Sequence, residues 1–137
     1  MGVSAKNRDF TAAALPVPSP RGDRIVFERG TDLWVAPADG SQPAKRLFFA
    51  RGRSGSPVWS PDGRALAFES NRGDLAYIGI YASDDEPIRY LSPSTSRDSM
   101  PRWSPDGTRI AFVRQPGRGG PATPPLERRP APWSLWV

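Results

Sequence analysis

The sequence contains neither cysteine nor histidine. Without cysteine there is no disulfide framework and no thiolate chemistry, and the redox character of the compartment stays open. Without histidine the chain lacks the usual general base, the commonest metal ligand and the centre of a Ser-His-Asp triad. Lysine is nearly absent as well: Lys6 and Lys45 are the only lysines among 19 basic residues. The net charge of +5 and the pI near 10.4 invite a nucleic-acid reading. The positive charge is spread along the whole chain, however, with no run longer than a pair such as Arg128-Arg129. A phosphate-binding stripe needs a denser cluster, so no nucleic-acid partner is expected and the arginines read as solvated loop residues. No stretch approaches the roughly 20 consecutive apolar residues of a membrane span. The opening MGVSAKNRDF has no apolar secretory core. That leaves cytoplasm and periplasm both open.

What the chain does hold is turn residues and aromatics. Seventeen prolines and 13 glycines fall at recurring places between apolar runs, and aromatics make up 10% of 137 residues. This is the composition of an all-β domain with a real core, not of a disordered tail. Three segments align: PVPSPRGDRIVF from Pro16, PVWSPDGRALAF from Pro57 and PRWSPDGTRIAF from Pro101, at intervals of 41 and 44 residues. A period of about 40–45 residues is that of a four-stranded propeller blade. Ser60-Pro61-Asp62-Gly63 and Ser104-Pro105-Asp106-Gly107 have the chemistry of a type I turn left through a left-handed glycine, a standard hairpin link. A strand follows in fixed register: Ile25, Leu66 and Ile110 lie three residues past the turn glycine, and Phe27, Phe68 and Phe112 lie five past it. Val26, Ala67 and Ala111 occupy the opposite face, and small apolar residues there fit a sheet covered on both sides.

Leu33-Trp34-Val35 and the run from Ala76 to Tyr81 read as third strands. An Asp39-Gly40 turn and a longer Ser83–Glu86 tip lead to fourth strands ending at Leu47 and Leu91, each ten residues before the next repeat's proline. The expected organisation is an N-terminal segment 1–15, then blade repeats 16–56, 57–100 and 101–137. The last carries a Pro-rich insertion over 115–132 before Leu135-Trp136-Val137, which matches Leu33-Trp34-Val35. Closed propellers have about four to eight blades. The expected fold class is therefore all-β, a β-propeller fragment of about three four-stranded antiparallel blades forming an incomplete ring.

The paired WSPDG motifs, each followed by an apolar strand, resemble the TolB-like (PD40) class of propeller repeats over residues 16–137. Within that class, YLSPSTSRDSMPRWSPDGTRIAFVRQPG with its Pro-rich insertion and PWSLWV is similar to the N-terminal propeller of prolyl oligopeptidase-family serine peptidases. The resemblance implies a parent protein in which the propeller caps a C-terminal α/β-hydrolase domain and restricts the serine to short peptide substrates. It supplies no catalytic residue for this chain, since that domain's Ser-Asp-His triad has no counterpart here. The paired glutamates with which dipeptidyl peptidases of the family hold a substrate amine are also missing. The alternative implied by the same repeats is a non-enzymatic TolB-like propeller that binds a protein partner.

Other motifs reduce to structure. Gly52-Arg53-Ser54-Gly55-Ser56 falls one glycine short of a nucleophile elbow and lies in a blade linker. Ser60 and Ser104 belong to turns that explain Ser, Pro, Asp and Gly together. Arg21-Gly22-Asp23 and Arg72-Gly73-Asp74 spell an adhesion tripeptide, but at hairpin turns. Asp84-Asp85-Glu86 lacks the alternating spacing of a calcium loop, and Gly117 to Gly120 opens no helix that would cradle a phosphate. Trp59 and Trp103 are expected in the core or between blades. No catalytic, metal or cofactor site is therefore expected. Arg102, which replaces the apolar Val17 and Val58 of the sister copies, is a substrate-channel candidate; a surface salt bridge is the plainer reading.

Overall fold

In the computed structural model, residues 16–117 and 134–137 are described. They form eleven strands: β1 (Val17–Pro18), β2 (Arg24–Arg29), β3 (Asp32–Pro37), β4 (Lys45–Arg46), β5 (Arg53–Trp59), β6 (Leu66–Asn71), β7 (Ala76–Tyr81), β8 (Arg89–Tyr90), β9 (Ser96–Trp103), β10 (Ile110–Pro116) and β11 (Ser134–Trp136). Strands β1 to β4 make one antiparallel four-stranded meander. Strands β5 to β8 make a second, and β9 to β11 form a three-stranded antiparallel meander. We call these blades 1, 2 and 3. The fold is an incomplete all-β propeller. Among the described residues no helix is long and apolar enough to cross a membrane. Most of the Pro-rich insertion falls outside the described residues, while Gln115 and Pro116 still belong to β10.

The turns form as their sequence dictates. Gly22, Gly63 and Gly107 each donate an amide to the carbonyl of Ser19, Ser60 or Ser104 at 2.9 Å. All three glycines have φ near +71 to +72°, a region that costs glycine nothing and other residues strain. Serine and aspartate then lock the turn from inside. The Ser60 hydroxyl donates to Asp62 Oδ1 at 2.6 Å and accepts the Ala65 amide at 3.0 Å. Asp62 Oδ1 accepts the Arg64 amide at 3.0 Å. Ser104 and Asp106 repeat this, with Thr108 adding both its amide and its hydroxyl. In the first copy the aspartate sits two places later, after the glycine, and Ser19 donates to Asp23 at 2.7 Å. These bonds hold the Asp62 and Asp23 carboxyls below the usual carboxylate range, and Asp106 falls to about 2.

The first strands are longer than the sequence implies. Strand β5 begins at Arg53 and β9 at Ser96, ahead of the prolines that open each repeat. The physical reason is a β-bulge in each, between Gly55 and Val58 and opposite Ala111–Val113, which lets the strand continue past a proline that cannot donate to the ladder. The longer β9 also makes one parallel bridge to β7, Ala76 to Arg97, which joins blades 2 and 3 into one sheet.

Blades stack apolar face on apolar face. Leu66 and Phe68 of blade 2, both fully buried, pack with Trp59 and Tyr81 against Val26, Leu33, Val35 and Leu47 of blade 1. Ile110 and Phe112 of blade 3 pack in the same sense against Ala67, Ile78 and Ile80 of blade 2. The motif tryptophan fixes the register between blades: Trp59 Nε1 donates to the Val17 carbonyl at 3.2 Å, and Trp103 Nε1 to the Val58 carbonyl at 3.0 Å. The indole thus combines apolar burial with a satisfied donor. Opposite the repeated phenylalanine stand Trp34 in blade 1, Gly79 in blade 2 and Trp136 in blade 3. At Gly79 the phenylalanine ring lies over the neighbouring backbone, and a Cβ there would overlap Phe68 Cζ. This frees the ring to meet Phe48 at 4.7 Å.

Two outcomes follow from this packing. Gly79→Ala should destabilise the chain by about 1–3 kcal/mol through overpacking, and Phe68→Leu in the same chain should recover part of that loss; a double-mutant cycle by urea denaturation measures the coupling. Because the turn aspartates titrate lower when folded than the ordinary 3.8, their contribution is complete above pH ~4 and is lost as pH falls through about 2. Asp106→Asn should flatten the acid limb of the urea midpoint between those values without altering it at pH 7 to the same degree.

Candidate functional site

The serines that a triad reading would single out are already committed. Ser60 and Ser104 use both their donor and acceptor capacity within their turns. Ser54 is buried in β5 with its amide on the Thr31 carbonyl at 2.9 Å. Among the described residues no group of three acidic, cysteine or histidine side chains is placed to hold a metal ion. Asp84 of the acidic tip instead accepts the Tyr81 hydroxyl at 2.9 Å.

The chemistry that the fold does assemble lies along the first strands. Ser56 and Met100, each preceding a proline at a bulge, adopt positive φ of 50° and 55°. Their amides are turned out of the ladder and met by a glutamate of the preceding blade. Glu28 accepts the Ser56 amide at 2.8 Å and Glu69 accepts the Met100 amide at 2.7 Å. A charged acceptor on a displaced amide offsets much of the strain of that conformation. Arg53 adds an ion pair to Glu28 at 3.3 Å, while Arg97, its counterpart in blade 3, donates to the Gly73 carbonyl. The sequence signal for this clasp is a glutamate six residues past the turn glycine in two copies. In the third copy that place is Val113, and residues with no periodic apolar role are not singled out by strand patterning.

Arg102 is exposed, and its Nη1 donates to the adjacent Pro101 carbonyl at 2.9 Å. It pairs across the ladder with Ala111, as Val17 pairs with Val26 and Val58 with Ala67. Directly opposed residues share a sheet face, so Arg102 lies on the face that blades 1 and 2 turn toward their successors. Among the described residues no acidic side chain pairs with it.

Among the described residues, the buried charge lies elsewhere. Asp98 is 1% exposed and is gripped by Arg114 in a bidentate pair, Nε to Oδ1 at 2.7 Å and Nη2 to Oδ2 at 2.8 Å. Arg114 Nη2 also donates to the Ser92 carbonyl at 2.7 Å, and the guanidinium sits 4.3 Å above the Trp136 ring. The bond to Asp98 raises the Arg114 pKa above its ordinary value. In blade 2 the same cross-strand pair is Ser54 and Ser70. Arg114→Met, which strands a buried carboxylate, should cost about 3–5 kcal/mol. Replacing both partners by serine, the solution blade 2 uses, should recover most of that loss; equal urea midpoints for the single and double variants would contradict the assignment.

No family model matches the chain. Over 78 residues, 57% of the chain, it is 37% identical to a tricorn protease homolog of Streptomyces coelicolor, of which the match spans 7%. Over 52 residues it is 40% identical to the Tol-Pal system protein TolB of Wolbachia pipientis from Culex pipiens, covering 38% of the chain and 12% of that protein. The chain thus spans a small part of the curated relatives it matches. Among solved structures, TolB from Agrobacterium tumefaciens superposes on 80% of the chain and 42% of its own length, with a TM-score of 0.64 and 26% identity. The WSPDG turns, the indole-to-carbonyl ties and these likenesses agree: the chain is built of TolB-like β-propeller repeats, similar to those of both tricorn-type proteases and TolB proteins.

Proposed function

We propose that the chain is the substrate-gating propeller portion of a peptidase of the prolyl oligopeptidase-like serine class, working beside a separate α/β-hydrolase domain on peptide substrates. The observation that carries this reading is the 37% identity to a tricorn protease homolog, which extends over 78 residues and so over more than one blade repeat. A propeller suits such a task because its rigid stacked blades hold a passage of fixed width, which admits an extended peptide and excludes a folded domain. Arg102, an exposed residue of the first strand of blade 3, is the residue we assign to attracting a peptide carboxylate into that passage.

A second reading, a non-enzymatic propeller that binds a protein partner, is favoured by the 40% identity to TolB. The coding sequence around these residues separates the two. A G-x-S-x-G motif with Asp and His downstream supports the peptidase portion; an α/β domain upstream with no hydrolase following supports the partner-binding protein and overturns the first reading. On either reading the 137-residue chain should release no product from short chromogenic peptides above the buffer rate. Turnover that disappears on Ser54→Ala or Ser104→Ala substitution would contradict both.

A further inference from the structure

At the periphery of the molecule, between the outer strands of blades 1 and 2, lies a groove of about 690 Å³. That volume is in the range of clefts that hold small ligands, about 300–1,000 Å³. Its floor is aromatic. The half-buried Phe48 ring lies 4.7 Å from Phe68 and 5.3 Å from Tyr81, and Tyr90 closes the side. Phe49 beside it is 82% exposed.

The two ends of the groove carry opposite charge. At the β6–β7 turn the Arg72 guanidinium sits 5.0 Å over each of the Tyr77 and Tyr90 rings. The Ser70 hydroxyl links it to Arg51, donating to the Arg51 carbonyl at 3.3 Å and accepting from Arg72 Nε at 3.4 Å. At the far end of β7, Tyr81 fixes Asp84 by its hydroxyl, and Glu86 follows. Burial, with Asp84 beside it, pushes the Tyr81 hydroxyl up to about 12, so it remains a donor. Among the described residues neither Arg51 nor Arg72 forms an ion pair with a carboxylate, and neither Asp84 nor Glu86 with a cation. Strand β7, five steps from Ala76 to Tyr81 and so roughly 16 Å long at about 3.3 Å per residue, runs from one end toward the other.

We propose that this peripheral groove binds an extended peptide of about five residues with both termini free: its carboxylate at Arg51 and Arg72, its ammonium at Asp84 and Glu86, and its apolar side chains on Phe48 and Tyr90. An extended pentapeptide matches the length of β7, and its own dipolar termini match the order of the charged ends. The stacked Arg72 guanidinium, with exposed Arg51 beside it and no carboxylate partner on either, presents pre-positioned donors for a terminal carboxylate. The aromatic floor contributes contact area at low entropic cost and carries no requirement for a particular sequence. The inference stands apart from the peptidase reading, since the groove lies on the outer strands and not on the first strands.

The test is calorimetric titration of the full chain with the peptide Leu-Ala-Phe-Ala-Leu in three forms: free termini, C-terminal amide and N-acetyl. The free form should bind, and blocking either end should weaken it about tenfold. Arg51→Gln should bring the free form down to the affinity of the amide while leaving the amide's own affinity unchanged, which separates loss of a contact from loss of fold. Arg51 is suited to this because it is exposed. Asp84→Asn should act in the same way on the acetyl comparison. Equal affinities for all three forms, no binding of the free form at about 5 mM, or inorganic phosphate binding as tightly as the free peptide would overturn the proposal. These outcomes are independent of the coding-sequence result, so either reading can fail without the other.

Discussion

The stacking of an aliphatic–phenylalanine pair on the apolar face of the preceding blade is the contact on which the rest of this structure depends. Leu66 and Phe68 bury themselves against Val26 and its neighbours, and Ile110 and Phe112 do so against Ala67, Ile78 and Ile80. Burying one such side chain is worth about 1.5–3 kcal/mol, comparable to a sizeable share of a domain's net stability of about 5–15 kcal/mol. Burial alone is non-directional, however, and does not fix how one sheet sits on another. The indole bonds from Trp59 and Trp103 to the carbonyls of Val17 and Val58 supply that direction. Each ties a first strand to the corresponding place in the blade before it, so the same stacking geometry recurs from blade to blade.

Once the seam is fixed, the first strands are brought within reach of the second strand of the preceding blade. This explains the glutamate clasp: Glu28 and Glu69 meet bulge amides that belong to the next blade. It also explains why two serines are tolerated where blade 3 carries Asp98 and Arg114. The position is buried in both blades, and either a neutral pair or a mutually neutralising ion pair avoids an unsatisfied charge there. No buried side-chain nitrogen or oxygen among the described residues lacks a hydrogen-bond partner. The repeats therefore share a scaffold and differ in how they settle polar groups on it. Arg102 and Val113 occupy positions that hold Val and Glu in blades 1 and 2, so the outer face of blade 3 has its own chemistry.

The curvature of the stack has a further consequence at its rim. The outer strands β4 and β8 are two residues long, which leaves the seam between blades 1 and 2 open at the periphery. Phe48 plugs the inner part of that opening against Phe68, a position available only because Gly79 leaves room for the phenylalanine ring. The peripheral groove and the packing of the blade 2 core are thus two sides of one local choice.

The sequence by itself determined the blade architecture, because its signals are local. Turn chemistry at Ser60–Gly63 and Ser104–Gly107, period-two alternation in the following strand and constant linker spacing each act over a few residues. The structure reproduces them, down to Leu47 and Leu91 closing the fourth strands on the Leu33 and Ile78 carbonyls. What only the tertiary structure decided involves partners far apart in the chain. The clasp joins Glu28 to Ser56 and Glu69 to Met100, the ion pair joins Asp98 to Arg114, and the groove opposes Arg51 and Arg72 to Asp84 and Glu86. Polar residues carry no periodic signature, so their pairing is invisible until stacking sets which strands face one another. The bulges that extend β5 and β9 past their prolines were hidden for the same reason: a residue forced to positive φ is held there by a carboxylate from another blade, and nothing in its own neighbourhood announces it.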